Sequence, residues 1–335
     1  MRSYRAPIAT LAIILAGCAL GRIVFGAERV KSAPSAETVS FRSANLTLKG
    51  LLWKPEGKGP FPAVLYNHGS GREYEKQFAA LGPLFASRGY VFFAPYRRGH
   101  GLSADQGEYI GDLLDRALKE KGPEERGKLM VKLLETDHLN DQLAALSYLK
   151  SLPFIDRERI AVAGNSFGGI QTVLMAEQGA GVRAAVDFAG AAQTWAGNPL
   201  MRERMLMAVR NAKVPIYFIQ AENDQNLSPS RVLAAEMQQL GKPHKIKIFP
   251  PFGKTAEDGH SFGYYGGEIW GPEVFTFLRE AMKDVPANRT GRRRRTYQFV
   301  GRERRERVSQ LTWCGEGCSE SRRRVNSDVR RLSLL

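Results

Sequence analysis

Cysteine is scarce in this sequence. Its 335 residues include three cysteines, Cys18, Cys314 and Cys318, and none lies between Ala19 and Trp313. The long central stretch therefore forms no disulfide and supplies no thiolate nucleophile. Cys314 and Cys318 bring no further ligand cluster with them, and a structural zinc site usually needs four ligands. We therefore expect no metal site at this cysteine pair.

Long hydrophobic runs are also missing. The apolar run from Ile8 to Leu20 follows two arginines, and it is shorter than the roughly 20 residues that a membrane span needs. Such a run is typical of an export signal. It ends in Leu15-Ala16-Gly17-Cys18, which resembles a bacterial lipobox. We expect residues 1–17 to be a lipoprotein-type signal peptide and Cys18 to be lipidated, anchoring the protein to a bacterial membrane. The alternatives are a plain secretory signal cut near residues 24–26, giving a periplasmic or secreted protein, and an uncleaved anchor or no export.

Positive charge is spread unevenly along the chain. The formal net charge is +15, and residues 288–335 contribute +9 of it, with 14 arginines against five acidic residues. This segment has no periodic apolar face, so we expect a disordered, solvated tail. Because most of the excess positive charge lies in this tail, we expect no specific nucleic-acid partner for the folded part. A tail that tethers the protein to nucleic acid or to an anionic membrane is the alternative.

After a polar linker at residues 18–37, strand-like and helix-like patterns alternate over residues 38–287. The expected strands are Val39–Phe41 with Leu46–Trp53 as an opening hairpin, then Ala63–Tyr66, Tyr90–Ala94, Ile160–Ala163, Ala184–Phe188, Pro215–Ile219 and Lys245–Phe249. The expected helices are Phe78–Arg88, Leu139–Leu152, Gly168–Gln178, Ser230–Leu240 and Pro272–Met282. Continuous apolar runs, rather than a period of two, indicate an α/β fold with a mostly parallel, doubly wound sheet flanked by helices.

Two stretches interrupt this alternation. Residues 103–137 and 191–213 are longer than ordinary connections, and both contain helix-like patterns. Long insertions in a compact domain often serve as lids or binding loops. We expect them to form a small helical cap over the functional site; the alternative is that they only extend the edge of the sheet.

The most informative motif is Gly164-Asn165-Ser166-Phe167-Gly168-Gly169, between an expected strand and an expected helix. This is the context of a nucleophile elbow, in which a sharp turn projects the serine hydroxyl beyond the sheet. Glycines are needed there because a Cβ at residue 164 or 168 would collide with the neighbouring strand and helix. The helix N-terminus that follows favours a developing negative charge. Ser166 is therefore the candidate nucleophile.

A serine hydroxyl needs a base, and histidine suits this task at neutral pH. The five histidines are His68, His100, His138, His244 and His260. In enzymes with this elbow the chain order is serine, acid, histidine. Only His260 lies on a loop after the last expected strand, which makes it the candidate base.

The acid should be a carboxylate that orients the imidazole. Asp224 follows the strand Pro215–Ile219 and is the preferred candidate. Glu222 is nearer the strand, and we expect it to be packed at the strand end. Asp258 is too close to His260 in sequence to reach round the ring easily.

An oxyanion needs preorganised donors. The amide of Phe167, next to the nucleophile, is one candidate. The second should come from His68-Gly69-Ser70-Gly71, where the amide of Ser70 is preferred and that of Gly69 is the alternative. Four aromatic residues are candidates for lining the pocket: Tyr96, Tyr109, Trp195 and Phe262.

Together these motifs resemble the dienelactone hydrolase and prolyl-oligopeptidase-type group of α/β hydrolases. The resemblance rests on the elbow, the loop at residues 68–71, the segment Tyr96–Gly101, the Glu-Asn-Asp after a strand and the late Gly-His, and it covers about residues 38–284. It implies the α/β-hydrolase fold and a serine hydrolase without cofactor. We expect cleavage of a small-molecule carboxylic ester or related acyl bond through an acyl-enzyme. The alternatives are a peptidase acting on short peptides and a catalytically silent binding protein with the same fold.

Overall fold

The structure is a computed structural model that describes residues 35–283. The expected signal peptide at residues 1–17, the lipidation site Cys18, nearly all of the linker and the arginine-rich tail at residues 288–335 lie outside the described residues. Those predictions stay predictions. No helix within residues 35–283 combines the length and the apolar character that crossing a membrane requires.

Eight strands form one sheet in the described part of the chain. They are β1 (Glu37–Ser43), β2 (Leu46–Trp53), β3 (Phe61–Asn67), β4 (Val91–Pro95), β5 (Ile155–Asn165), β6 (Ala184–Phe188), β7 (Ile216–Ala221) and β8 (His244–Phe249). Their order across the sheet is β1-β2-β4-β3-β5-β6-β7-β8. The pairs β1–β2 and β2–β4 are antiparallel, and every later pair is parallel. The predicted opening hairpin and the mostly parallel sheet are therefore confirmed.

The helices between and after these strands are α1 (Glu75–Ser87), α2 (Ile110–Glu135), α3 (Asp137–Ser151), α4 (Phe167–Gln178), α5 (Pro199–Asn211), α6 (Ser228–Gln239), α7 (Ala256–His260), α8 (Phe262–Tyr265) and α9 (Gly267–Ala281). Two of them, α1 and α9, begin three or more residues earlier than predicted. Helix α1 starts at Glu75. This residue is not part of the apolar periodicity that predicted the helix, but an acidic side chain is favourable in the first turn because of the helix dipole. Helix α9 starts at Gly267, because the buried Trp270 extends its apolar face toward the N-terminus.

Both faces of the sheet are buried. Along β3, Ala63 and Leu65 enter one apolar cluster while Val64 and Tyr66 enter another, and all four side chains are inaccessible to solvent. Helices α2 to α6 contribute to the first cluster, and α1, α8 and α9 contribute to the second. Because the sheet is covered on both sides, its strands read as continuous apolar runs. Parallel strands also bring their carboxyl ends to one edge, where the residues that follow them meet.

The two insertions supply helices α2 and α5. Helix α2 is interrupted at Gly122, whose φ of 86° lies in the left-handed region that glycine adopts without strain. Helices α2 and α5 pack against each other and against their neighbours α3, α4 and α6. Met130 from the first insertion and Gln193 and Thr194 from the second line a cleft at Ser166. Both insertions thus border the site, as the predicted cap requires.

Candidate active site

Ser166 occupies the turn between β5 and α4. Its φ of 60° and ψ of −120° are strained for a residue with a side chain. The turn is held by its own backbone, because Ser166 N–H donates to Phe188 O at 2.8 Å and Ile170 N–H donates to Ser166 O at 3.1 Å. The serine is thereby held at the N-terminus of α4, in the geometry that the sequence motif predicts.

The glycines of the elbow allow close approach of the backbone. A Cβ at Gly168 would overlap the carbonyl oxygen of Asn67, and a Cβ at Gly164 would overlap the backbone of Gly168. A Cβ at Gly169 would overlap the carboxylate of Asp187. Each glycine therefore meets a steric requirement, two against backbone and one against a buried side chain.

His260 and Asp224 are in direct contact. The Nδ1 atom of His260 lies 2.9 Å from Oδ1 of Asp224. Gln220 donates to the other carboxylate oxygen at 2.7 Å, which fixes the carboxylate plane. The Nε2 atom of His260 is buried and has no hydrogen-bond partner among residues 35–283. Asn165, which precedes Ser166, donates to His260 O at 3.2 Å and so ties the histidine to the elbow.

The location of His260 differs from the prediction. It is the last residue of the short helix α7 rather than a loop residue, because a capping box formed by Thr255 and Asp258 starts a helix there. Asp258 also accepts from Lys254 N–H, and these backbone and side-chain hydrogen bonds hold its pKa below the usual range. Asp258 therefore serves helix capping. Glu222, expected to be packed at the strand end, is exposed because β7 already ends at Ala221.

Three tyrosine hydroxyls hold the loop at residues 68–71, and that of Tyr74 accepts from Gly71 N–H at 2.6 Å. Gly69 N–H donates to the hydroxyl of Tyr264 at 2.9 Å, and the hydroxyl of Tyr109 donates to Ser70 O at 2.5 Å. The amide of Gly69 is therefore already engaged. The amide of Ser70 has no partner among the described residues, and that of Phe167 is the first in α4, where no intrahelical acceptor exists. Of the three predicted donors, these two are free.

A small cleft opens at the serine. Its lining residues are Ser70, Met130, Ser166, Phe167, Ile170, Ala191, Gln193 and Thr194. The cleft thus brings Ser166 together with Ser70 and Phe167, the residues that carry the two free amides, and its walls are mostly apolar. None of the four predicted aromatic residues lines it. Tyr96, Trp195 and Phe262 are packed into the apolar clusters, and Tyr109 reaches the site only through its hydroxyl.

A buried basic cluster lies behind the loop. His68, His100 and His138 pack ring to ring, with centroids 4.8 Å and 5.9 Å apart, next to the wholly buried Arg97. Burial, followed by the charge of Arg97, lowers the pKa of His100 to about 3 and the pKa values of His68 and His138 well below their usual range. All three rings are neutral at neutral pH. Within residues 35–283, no three His, Cys, Asp or Glu side chains are placed to hold a metal ion.

The sequence has identifiable relatives. Residues 48–268 match the dienelactone hydrolase family. An uncharacterized peptidase of Bacillus subtilis, YtmA, is 25% identical over 241 residues, which cover 64% of this chain and 84% of that protein.

Two solved structures show the same fold at low identity. The acylaminoacyl peptidase of Pyrococcus horikoshii has a TM-score of 0.56 and 22% identity, with 75% of this chain and 42% of that chain covered. This chain therefore spans less than half the length of that enzyme. Est1E of Butyrivibrio proteoclasticus, in a structure with ferulic acid bound, has a TM-score of 0.54 and 18% identity, with 73% of this chain and 100% of that chain covered. These likenesses confirm the α/β-hydrolase fold predicted from the sequence. Because the family match runs from β2 to α9, the chain belongs to the dienelactone hydrolase family.

Proposed function

We propose that this α/β hydrolase cleaves a carboxylic ester through an acyl-enzyme intermediate. In this proposal Ser166 is the nucleophile, His260 the general base and Asp224 the group that orients and stabilises the imidazole. The amides of Ser70 and Phe167 form the oxyanion hole. The observation that carries the proposal is that Ser166 and the two residues with free amides, Ser70 and Phe167, line one cleft, while the His260–Asp224 pair leaves Nε2 without a partner among the described residues.

The chemistry follows from this arrangement. His260 Nε2 takes the proton from the Ser166 hydroxyl as its oxygen attacks the acyl carbon, and Asp224 stabilises the imidazolium that forms. The two amides donate to the oxyanion, and each such donor typically contributes about 10²- to 10³-fold in rate. The protonated His260 then gives its proton to the departing alcohol. Water, activated by the same imidazole, hydrolyses the acyl-enzyme and regenerates the serine.

An ester is the favoured substrate class because the family is named for hydrolysis of a lactone, which is a cyclic ester. The apolar walls of the cleft, formed by Met130, Ile170 and Ala191, suit a small acyl group. A peptidase acting on short peptides is the second candidate, since YtmA is named a peptidase and amide cleavage would use the same acyl-enzyme.

The test is turnover of p-nitrophenyl acetate and labelling by a fluorophosphonate probe, both with the full-length protein. We expect Ser166→Ala to lower kcat by at least about 10³-fold and to abolish labelling. Ser147→Ala is the matched control, because Ser147 is an exposed serine of α3 that does not line the cleft. Equal turnover by wild type and Ser166→Ala would rule out the proposal, and absence of labelling in the wild type would favour a binding protein.

Esterase and peptidase are separated by the leaving group. We expect kcat/KM for p-nitrophenyl acetate to exceed that for aminoacyl p-nitroanilides. The reverse order, with both activities lost in Ser166→Ala, would assign the site to short peptides.

Export is proposed on the N-terminal sequence alone. The apolar run before Cys18 motivates a lipid-anchored protein at a bacterial membrane. Incorporation of labelled palmitate that persists in Cys18→Ser would contradict lipidation at this residue.

A further inference from the structure

Arg97 is buried without a carboxylate partner. Its side chain is wholly inaccessible to solvent, and it forms no ion pair within residues 35–283. Its hydrogen bonds go to neutral groups instead: Nη1 donates to His68 O at 2.8 Å and to Gln171 Oε1 at 2.9 Å, and Nη2 donates to Gly69 O at 2.6 Å. Burying an uncompensated guanidinium is unfavourable. The reason for burying the Arg97 guanidinium must therefore be sought in the groups to which it donates hydrogen bonds.

Two of these hydrogen bonds fix the peptide units of the oxyanion loop. A peptide unit is planar and trans, so its C=O and N–H point in opposite directions. Because Arg97 draws Gly69 O inward, the N–H of Ser70, in the same peptide unit, must point the other way. The preceding unit is held at both ends, since His68 O accepts from Arg97 and Gly69 N–H donates to Tyr264. The direction of the free Ser70 amide is therefore set by contacts behind the loop.

The same guanidinium also contacts the other half of the proposed oxyanion hole. Its central carbon lies 4.8 Å from the ring centroid of Phe167, which is a cation–π contact. Gln171, which accepts from Nη1, lies one helical turn further along α4. One rigid planar group thus packs against the first turn of α4 and clamps the loop at residues 68–71.

We propose that Arg97 is a positioning residue that aligns the Ser70 and Phe167 amides into one oxyanion hole. This inference rests on the function proposed above. Arg97 touches neither the substrate nor the reacting atoms; it acts through the peptide unit of Gly69 and Ser70 and through the helix that carries Phe167. Its contribution is therefore made in the transition state, when the oxyanion forms, and not in binding the neutral ester.

The test is Arg97→Lys in the full-length protein, assayed with p-nitrophenyl acetate and normalised by fluorophosphonate titration of active sites. Lysine keeps the positive charge but lacks the fork that reaches two carbonyls at once. We expect kcat to fall by about 10²- to 10³-fold, the effect of losing one oxyanion donor, while KM changes by less than about threefold. The Ki of 1,1,1-trifluoroacetone, whose serine adduct carries an oxyanion, should rise by the same factor as kcat falls.

Arg98→Lys is the matched control. Arg98 is the adjacent arginine, and its guanidinium pairs with Asp141 and Asp137 rather than with the loop carbonyls. Its replacement should lower the melting temperature without changing the Ki of trifluoroacetone. A uniform loss of active sites in Arg97→Lys, with kcat per titrated site unchanged, would overturn the inference.

Phe167→Leu covers the case in which Arg97→Lys does not fold. It keeps the backbone amide and removes the ring against which the guanidinium packs, so kcat and the Ki of trifluoroacetone should again change in parallel, by about tenfold. An unchanged Ki would overturn the inference. Failure of the proposed function can be distinguished from failure of this inference. In that case the wild type itself would neither turn over the ester nor react with the fluorophosphonate.

Discussion

Asp187 is a buried carboxyl group whose charge should control the stability of the fold. It lies in β6, inaccessible to solvent, and its Oδ1 accepts from Gly190 N–H at 2.9 Å. Its Oδ2 is buried and has no partner among the described residues. Burial raises the pKa of Asp187 to about 7, and the hydrogen bond from Gly190 only partly opposes this. Asp187→Asn keeps the shape of the side chain and the acceptor but cannot ionise.

The sign of the effect follows from proton binding. Between about pH 4 and pH 7 the folded protein keeps a proton on Asp187 that the unfolded chain has released. The native state binds more protons there, so the wild type loses stability as pH rises, and this loss levels off above the native pKa. Each pH unit corresponds to about 1.4 kcal/mol. From pH 5 to pH 8 the asparagine variant should therefore gain about 3 kcal/mol of unfolding free energy relative to the wild type.

The assay is urea unfolding of both proteins, followed by tryptophan fluorescence at pH 5 and pH 8. If thermal unfolding is followed instead of urea unfolding, about 3 kcal/mol corresponds in a domain of this size to a difference in melting temperature of roughly 6–12 °C. Asp141→Asn is the control: Asp141 is also buried, but it accepts from Arg98 at 2.8 Å and 2.9 Å, so this variant should be less stable at both pH values. If the advantage of Asp187→Asn at pH 8 is within about 0.5 kcal/mol of its value at pH 5, Asp187 does not hold its proton as inferred.

Two further predictions concern the loops around the cleft. Tyr264→Phe leaves the buried N–H of Gly69 without its acceptor, so we expect about 1–3 kcal/mol of destabilisation by thermal unfolding. Tyr265→Phe, at the exposed neighbouring residue, should change stability by less than about 0.5 kcal/mol. Equal effects of the two substitutions would show that the Tyr264 hydroxyl does not hold the loop. Asp224→Asn should keep the fold but lower kcat for p-nitrophenyl acetate by about 10⁴-fold, because His260 loses the carboxylate that selects its tautomer. A decrease in kcat of less than about tenfold would remove Asp224 from the proposed mechanism.

The sheet and the elbow were predictable because their signals are local. Each buried strand is a short apolar run, and the turn at Ser166 needs glycines within two residues on either side. The choice of Asp224 over Glu222 also came from local position, because it depends on where β7 ends. The contact between Asp224 and His260 joins residues 36 positions apart, and chain order together with their positions after predicted strands was enough to pair them.

The contacts that hold the oxyanion loop could not be predicted. Gly69 meets Tyr264 across 195 residues, and Arg97 meets Gln171 across 74. A tyrosine after the last strand looks like any other apolar core residue, and an arginine in Tyr96–Gly101 looks like an exposed loop residue. Nothing in their neighbours signals complete burial, which depends on how α4 and α8 pack beside the loop. The short helix α7 was missed for a different reason, since its capping box spans only four residues and no periodic run follows it.

A glycine-rich loop would by itself be a poor way to aim an amide, because glycine peptides rotate easily. The neutral state of His68 helps to resolve this. Its Nε2 accepts from the backbone N–H of Arg97 at 3.2 Å, and its Nδ1 lies 2.9 Å from Gly69 O and 3.0 Å from Arg97 Nη2. The uncharged ring therefore packs between the loop and the guanidinium, and Gly69 O accepts from the Arg97 side chain. Rotating the peptide unit of Gly69 and Ser70 would break this hydrogen bond and leave a buried donor of Arg97 unpaired. The loop thus keeps the glycine that its close packing requires, while a buried imidazole and a buried guanidinium remove the freedom that the glycine brings.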